Sequence, residues 1–224
     1  VKTWFVAATR SSKPVFDAEA PLARSLARVG GVTPHVLAVA HANTQPLAAA
    51  YNQALDAAGA DDLVAFVHDD AWIDDWCVVD RLAEALRTFD VVGVAGNRER
   101  RPGQRAWLDA EDLARIADSH LSGAIAHRHG EHVVPNRYGP APAPVKLLDG
   151  VFLAARAGAL KRSGVRFDAR FPFHYYDMDF CRSCERAGLS MGTWPIALTH
   201  ASGGTPHGPA FDAAARAYFG KWGD

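Results

Sequence analysis

The chain predicts an α/β fold, with a mostly parallel central sheet flanked by helices and a small hairpin-bearing subregion. Three observations carry this. Short apolar runs alternate with helical patterns along the N-terminal part, the mark of βαβ units. One run, Leu63-Val64-Ala65-Phe66-Val67, is unbroken apolar sequence, as in strands covered on both faces. The chain has 224 residues, 49% of them hydrophobic, enough to bury one sizeable core.

The elements follow in order. Trp4 to Ala8 reads as a buried strand that ends in the polar Thr9-Arg10-Ser11-Ser12. Pro21 opens a helix with Leu22, Leu26 and Val29 on one face, and Gly30-Gly31 closes it. Val36 to Val39 predicts a second strand. Pro46 then starts a helix whose Leu47, Tyr51, Ala54, Leu55 and Ala58 share a face. Leu63 to Val67 delivers His68-Asp69-Asp70 to its C-terminal end. A helix carrying Val79, Leu82, Leu86 and Phe89 precedes a fourth strand at Val91 to Ala95. In open sheets of this kind, ligands bind beyond the carboxyl ends of the strands, so Thr9, Asn43 and the His68 to Asp70 cluster should share a site.

From Gly96 the pattern changes, with frequent Arg, Gly and Pro. A helical piece is expected over Ala110 to Ala117, and a hairpin with strands at Leu121 to His127 and His132 to Pro135. His127, His129 and His132 on that hairpin are expected to face solvent. Pro140 to Pro144 is a stiff connector too short to divide two cores. Val145 to Ala155 returns to the sheet, and Ala157 to Ser163 forms a short helix ended by Gly164. A helix then runs to Gly188, a strand covers Gly192 to Leu198, and Phe211 to Trp222 is helical in pattern. The small residues from His200 to Gly208 predict a mobile loop.

A net charge of -1 excludes a general nucleic-acid or membrane-surface binder, both of which need clustered positive charge. No apolar run approaches the roughly 20 residues needed to span a bilayer, and Val1-Lys2-Thr3 begins a strand. A cytoplasmic chain is expected, at most peripherally attached to the membrane. Three cysteines make no disulfide framework. Cys181 and Cys184 lie in a helical pattern without further ligands and read as core.

Chemistry concentrates in two stretches. An Asp pair at a strand terminus suits a hard divalent cation, which leaves positions open for phosphate oxygens. No GxGxxG follows the first strand and no GxxxxGK[ST] occurs, which turns the reading from dehydrogenases and P-loop enzymes toward a nucleotide whose diphosphate is held by metal. The second stretch is His174-Tyr175-Tyr176-Asp177-Met178-Asp179-Phe180. There Asp177 has two readings, the N-cap of the following helix or a carboxylate aimed at substrate. On a helix Asp177 and Asp179 diverge by about 200°, so only one of them faces a substrate. Asp177 is chosen, with Asp179 left to cap the helix or to pair with an arginine such as Arg182.

Five segments in order, Tyr51-Asn52, His68-Asp69-Asp70, Leu148-Asp149-Gly150, Phe173 to Cys181 (FHYYDMDFC) and His200, resemble a family 2 glycosyltransferase of the GT-A fold. The closest pattern is that of the bacterial glycosyltransferase-like subgroup with HxD and FHxYDxDFC motifs. The resemblance spans nearly the whole chain and implies one domain over residues 1–224, with a nucleotide-binding half at 1–97 and an acceptor-binding half at 98–224. It implies Asp70 and His200 as ligands of Mn2+ or Mg2+, and Asp177 as the base of an inverting reaction. Thr9, Arg10, Asn43, Asn52, His68 and Asp69 fall where the family meets the nucleotide-sugar, with Asp69 contacting ribose or supporting the metal ligand. Trp107, Asp149 and His174 would line the acceptor pocket, the indole stacking on a sugar face. The implied partners are a nucleoside-diphosphate sugar and a glycan or other hydroxyl acceptor, in bacterial glycan or polysaccharide synthesis. His68 stands where many members carry Asp, and Tyr176 where the usual motif is acidic. With neither a long C-terminal extension nor a membrane span in the sequence, a processive polymer synthase is not expected. Two other classes remain open: a metal-dependent phosphoester hydrolase built on His68, Asp69, Asp70 and His200, and an inactive sugar-nucleotide or glycan-binding domain.

Overall fold

A computed structural model describes residues 1–32, 34–115, 120–202 and 208–223. The N-terminal elements are β1 (Thr3–Ala8), α1 (Lys13–Glu19), α2 (Pro21–Val29), β2 (Val36–Ala40), α3 (Leu47–Ala57), β3 (Leu63–Val67), β4 (Ala71–Ile73), α4 (Val78–Thr88), β5 (Val91–Gly93) and β6 (Ala95–Asn97). A middle group comprises α5 (Ala110–Ala114), β7 (Leu121–His129), β8 (His132–Gly139), β9 (Ala143–Pro144), β10 (Leu147–Leu148), β11 (Phe152–Arg156) and α6 (Ala157–Ser163). Helix α7 (Tyr176–Arg186), β12 (Met191–Thr193), β13 (Leu198–His200) and α8 (Pro209–Trp222) complete the chain.

The first sheet has the order β2-β1-β3-β11-β5-β12-β9. Its parallel pairs are β1 with β2, β1 with β3, and β5 with β12. Strand β11 lies antiparallel between β3 and β5, so a late strand is slotted into the middle of the sheet. Every residue of β3 is buried, as its unbroken apolar sequence requires. A second sheet, β10-β6-β7-β13-β4 with β8 paired to β7, stands beyond the strand ends. One buried apolar cluster runs from Phe5 to Tyr218. Among the described residues no helix is long and apolar enough to cross a membrane.

The chain passes from one sheet to the other repeatedly, four times as follows. It leaves β3 at Val67 and enters β4 at Ala71, leaves β5 at Gly93 and enters β6 at Ala95, leaves β10 at Leu148 and enters β11 at Phe152, and leaves β12 at Thr193 and enters β13 at Leu198. The apolar runs Val91 to Ala95 and Gly192 to Leu198, each expected as one strand, are therefore divided between two sheets. Gly123 on β7 makes the second of these crossings possible: at φ 91° it receives the Val94 carbonyl where a Cβ would stand 2.0 Å from that oxygen. Helix α1 and the three-residue β4 gave no periodic signal long enough to predict them.

The helix at Ala110 ends at Ala114, and its expected final positions, Ile116 and Ala117, lie outside the described residues, as do residues 203–207 of the expected loop. Helix α3 bears on the approach to α7. Its Asn52 donates from Nδ2 to the Phe167 carbonyl at 2.8 Å and accepts the Phe167 N–H at 3.1 Å. The Phe167 ring in turn stacks on Phe180 at 4.4 Å between centroids. Replacing Asn52 with Ala leaves both backbone groups of Phe167 without these partners and should lower stability by about 2 kcal/mol. The expected reading is a lower urea midpoint with an unchanged slope; an unchanged midpoint would show that the bracket contributes nothing.

Candidate functional site

The sheet crossings place the titratable residues side by side. His68-Asp69-Asp70 is the crossing from β3 to β4, and Asp149-Gly150-Val151 is the crossing from β10 to β11. The two are joined where the His68 N–H donates to the Val151 carbonyl at 3.1 Å. His200 ends β13, antiparallel to β4, in register with Ala71. Its Nε2 lies 3.1 Å from Asp70 Oδ1 and 3.3 Å from Ser202 Oγ. The ligand atoms of His68, Asp70 and His200 all fall within 4.8 Å of one another.

Helix α7 closes the other wall. It begins at Tyr176, with Tyr175 at the N-cap in a left-handed conformation at φ 64°, so Asp177 lies inside the first turn and does not cap it. The Asp177 carboxylate accepts the Met178 N–H at 2.8 Å and the Gly150 N–H at 3.3 Å. Asp149 Oδ1 accepts the next amide, Val151 N–H, at 2.8 Å. Consecutive amides of one turn thus hold both carboxylates. Tyr176 reaches the same turn, its hydroxyl 2.6 Å from the Gly150 carbonyl oxygen and 2.8 Å from His68 Nε2.

These residues line a cleft of about 570 Å³. Of the residues singled out from sequence, His68, Asp69, Asp70, Trp107, Asp149, His174, Asp177 and His200 all face it. The other four do not border it. Thr9 is buried at the end of β1 and hydrogen-bonds Asp69, Arg10 is exposed beside it, and Asn43 closes a local turn onto Gln45. Asn52 holds Phe167. Trp107 is only 9% exposed and its ring meets Tyr138 edge-on, so little of its face is free to stack on a sugar.

Two expectations are corrected. Asp179 neither caps α7 nor pairs with Arg182: its Oδ1 receives Lys221 Nζ at 2.6 Å and Trp222 Nε1 at 2.9 Å, both from α8. The divergence of Asp177 and Asp179 around the helix sends one carboxylate to the cleft and the other to the C-terminal helix. Arg182 instead lies over the Tyr218 and Trp222 rings. His127, expected in solvent, faces the cleft, its ring 5.9 Å from that of His200 and its Nδ1 accepting from Asn136 Nδ2 at 2.7 Å. Parallel pairing of β7 with β13 puts His127 in register with His200, a neighbour that no local pattern announces.

Burial and charge shape the site together. Burial pushes the Asp177 carboxyl up to about 7, helped by the charge of Asp149, and burial raises Asp149 as well. Burial also raises Asp69. Asp70 behaves oppositely: burial would raise it, but the hydrogen bond and charge of His200 outweigh burial and hold it at about 2. Burial, with the charge of His200, lowers His68 to about 4, while His200 is raised because its bond to Asp70 overcomes its burial. One ionised carboxylate with two imidazoles is a mixed oxygen and nitrogen donor set that a divalent cation such as Mn2+ or Zn2+ accepts. Neutral His68, with Nε2 held by Tyr176, has the support that a metal-ligating imidazole needs. The residues present therefore fit a divalent metal.

Gly150 is where the walls meet. A Cβ there would stand 2.4 Å from the Tyr176 hydroxyl oxygen and 3.0 Å from the Asp177 Cβ. Gly150→Ala must displace Tyr176 or the turn and should cost about 1–3 kcal/mol, with a lowered Tm as the readout. A variant as stable as the parent would mean that the turn has slack the geometry does not show.

The sequence model of the Glycosyltransferase like family matches residues 8–199. No curated protein sequence matches. Among solved structures, A197 from STIV is similar at a TM-score of 0.51 and 13% identity, over 87% of this chain and 82% of that one. The mannosyltransferase PcManGT from Pyrobaculum calidifontis, solved in complex with GDP-Man and Mn2+, aligns at a TM-score of 0.48 and 15% identity, over 89% of this chain and 56% of that one. At such identities the likeness to A197 is one of fold.

Proposed function

The chain belongs to the glycosyltransferase like family, of the family 2 type, and on that premise we propose that it is a metal-dependent, inverting enzyme that moves a sugar from a nucleoside diphosphate to an acceptor hydroxyl. The observation that carries this reading is the meeting, in one cleft, of a cation-type donor set and a separate buried carboxylate raised to about 7. The donor set is His68, Asp70 and His200; the carboxylate is Asp177. A cleft of about 570 Å³ lies within the range of roughly 300–1,000 Å³ usual for small-molecule sites.

A divalent cation on this set would neutralise the charge that develops on a departing diphosphate. Asp177 takes the acceptor's hydroxyl proton as that oxygen bonds to the anomeric carbon. The bond from that carbon to the diphosphate oxygen breaks, and the diphosphate leaves with the electron pair. A carboxylate titrating near 7 is a far stronger base than an ordinary one and is still substantially ionised at neutral pH. Asp149 raises Asp177 by its charge and orients the turn that holds it. His174 and Trp107 stand on the same cleft as candidate acceptor contacts, while Thr9 buttresses Asp69 on the nucleotide side and Arg10 and Asn43 flank it. A two-metal phosphoester hydrolase is less well supported. Among the described residues, His68, Asp70 and His200 form the one group drawn together as a cation site.

Thermal shift with UDP, GDP, CDP and dTDP, each with and without Mn2+, tests the donor. At about 100 times its dissociation constant, the matching diphosphate should stabilise the protein by about 2.7 kcal/mol in a metal-dependent way, and Asp70→Ala should abolish the effect. If no diphosphate shifts the wild type with metal present, the transferase reading fails. Turnover, once the donor is known, tests the base. Because Asp177 acts in its ionised form, kcat should rise with pH and level off above about 7. Asp177→Asn should reduce kcat by about 10²–10⁴-fold and remove that rise. An Asn variant with the parent's profile would take the role of base away from Asp177.

A further inference from the structure

Tyr176 opens the helix that carries Asp177, and its hydroxyl reaches from there to the Gly150 turn and to His68 of the cation-type set. The oxygen lies 2.6 Å from the Gly150 carbonyl oxygen and 2.8 Å from His68 Nε2. A carbonyl oxygen cannot donate, so the single phenolic proton must occupy the shorter contact, to Gly150. Toward His68 the hydroxyl can then only accept. The Tyr176 oxygen has two lone pairs, room enough for a donor from His68.

The consequence falls on His68. To meet an acceptor, its Nε2 must carry the proton, and a neutral imidazole has only one. Nδ1 is therefore bare, and Nδ1 is the atom 4.0 Å from Asp70 Oδ1, which itself lies 3.1 Å from His200 Nε2. The ring has a second restraint in Phe173, stacked at 5.9 Å between centroids. Tyr176 is itself held, 4% exposed, against Tyr51 and Phe167, and it approaches the turn only because residue 150 lacks a Cβ.

We propose that Tyr176 is a positioning residue that locks His68 in the Nε2–H tautomer, with the Nδ1 lone pair turned toward Asp70 and His200. The helix that carries Asp177 thereby also prepares the site for a divalent cation. This rests on the reading of His68, Asp70 and His200 as that site. The outer partner of a metal-ligating histidine is usually a carboxylate or a carbonyl. Here it is a phenol whose own proton is directed by a backbone carbonyl.

The test uses the full chain, labelled with 15N-histidine and free of metal. Long-range 1H–15N spectra at neutral pH should show His68 as the Nε2–H tautomer, its signals assigned by their loss in His68→Gln. Tyr176→Phe keeps the ring and should give a mixture of both tautomers at His68. Titration with Mn2+ alone, followed by the EPR signal of the free ion, should show binding 10- to 100-fold weaker in Tyr176→Phe. An Nδ1–H tautomer or an even mixture in the wild type overturns the proposal, whether or not the Phe variant folds. A folded Phe variant with unchanged Mn2+ affinity and unchanged tautomer also overturns it. A wild type that shows the Nε2–H tautomer but binds no Mn2+ overturns the cation reading alone and leaves the lock on His68 standing.

Discussion

The turn Asp149-Gly150-Val151 is the constraint on which the rest of the site depends. Four polar groups of its backbone are taken by four residues from other parts of the chain. Asp149 N–H donates to Ala95 at 3.0 Å, and Gly150 N–H donates to Asp177. The Gly150 carbonyl receives Tyr176, Val151 N–H reaches Asp149, and the Val151 carbonyl receives His68 N–H. A buried backbone group without a partner costs about as much as a lost hydrogen bond, so the turn can hold this shape only with all of these neighbours present. Two residues of backbone, from the Gly150 N–H to the Val151 carbonyl, thus join the base, the tyrosine and the histidine.

Such a turn has a place to stand because two sheets meet here. Where a strand leaves one sheet for the other, its ladder ends, and the crossings at His68 to Asp70 and Asp149 to Val151 edge the cleft with polar residues. The architecture of an open α/β sheet already puts ligands beyond the strand ends. The second sheet adds a wall to that opening, supplying His200 and His127 from two strands paired in parallel.

Concentrating charge in that cleft works against folding. Asp149, Asp177 and Asp69 are all raised by burial, so each would be more at ease in water. Asp70 is the exception, held ionised by His200. The contrast separates two kinds of work within a few residues: a carboxylate kept charged, as a metal ligand must be, and a carboxylate poised to exchange a proton. The stability for this comes from elsewhere, chiefly from the all-apolar β3 and the aromatic packing of Tyr51, Phe66, Phe167 and Phe180 behind the site.

Much of this was legible before any coordinates. The period of the apolar residues predicts α2, α3, α4 and α8, and the unbroken run at Leu63 to Val67 predicts a central strand, because local pattern reports which face of an element is buried. The order of the short motifs was enough to suggest the family and to bring His68, Asp70, Asp177 and His200 together as one site. What sequence could not decide was which atoms meet. Asp179 goes to Lys221 rather than Arg182, His127 turns to His200 rather than to water, and Asn52 holds Phe167 rather than bordering the cleft. The partners are far apart in the chain, 43 positions for Trp222 and Asp179 and 115 for Asn52 and Phe167. The sequence by itself determined most of the longer elements and their buried faces, since these follow from near neighbours in the chain. Only the tertiary structure decided the pairings, because sheet crossings and parallel register place residues by long-range closure, which leaves no periodic trace in the chain.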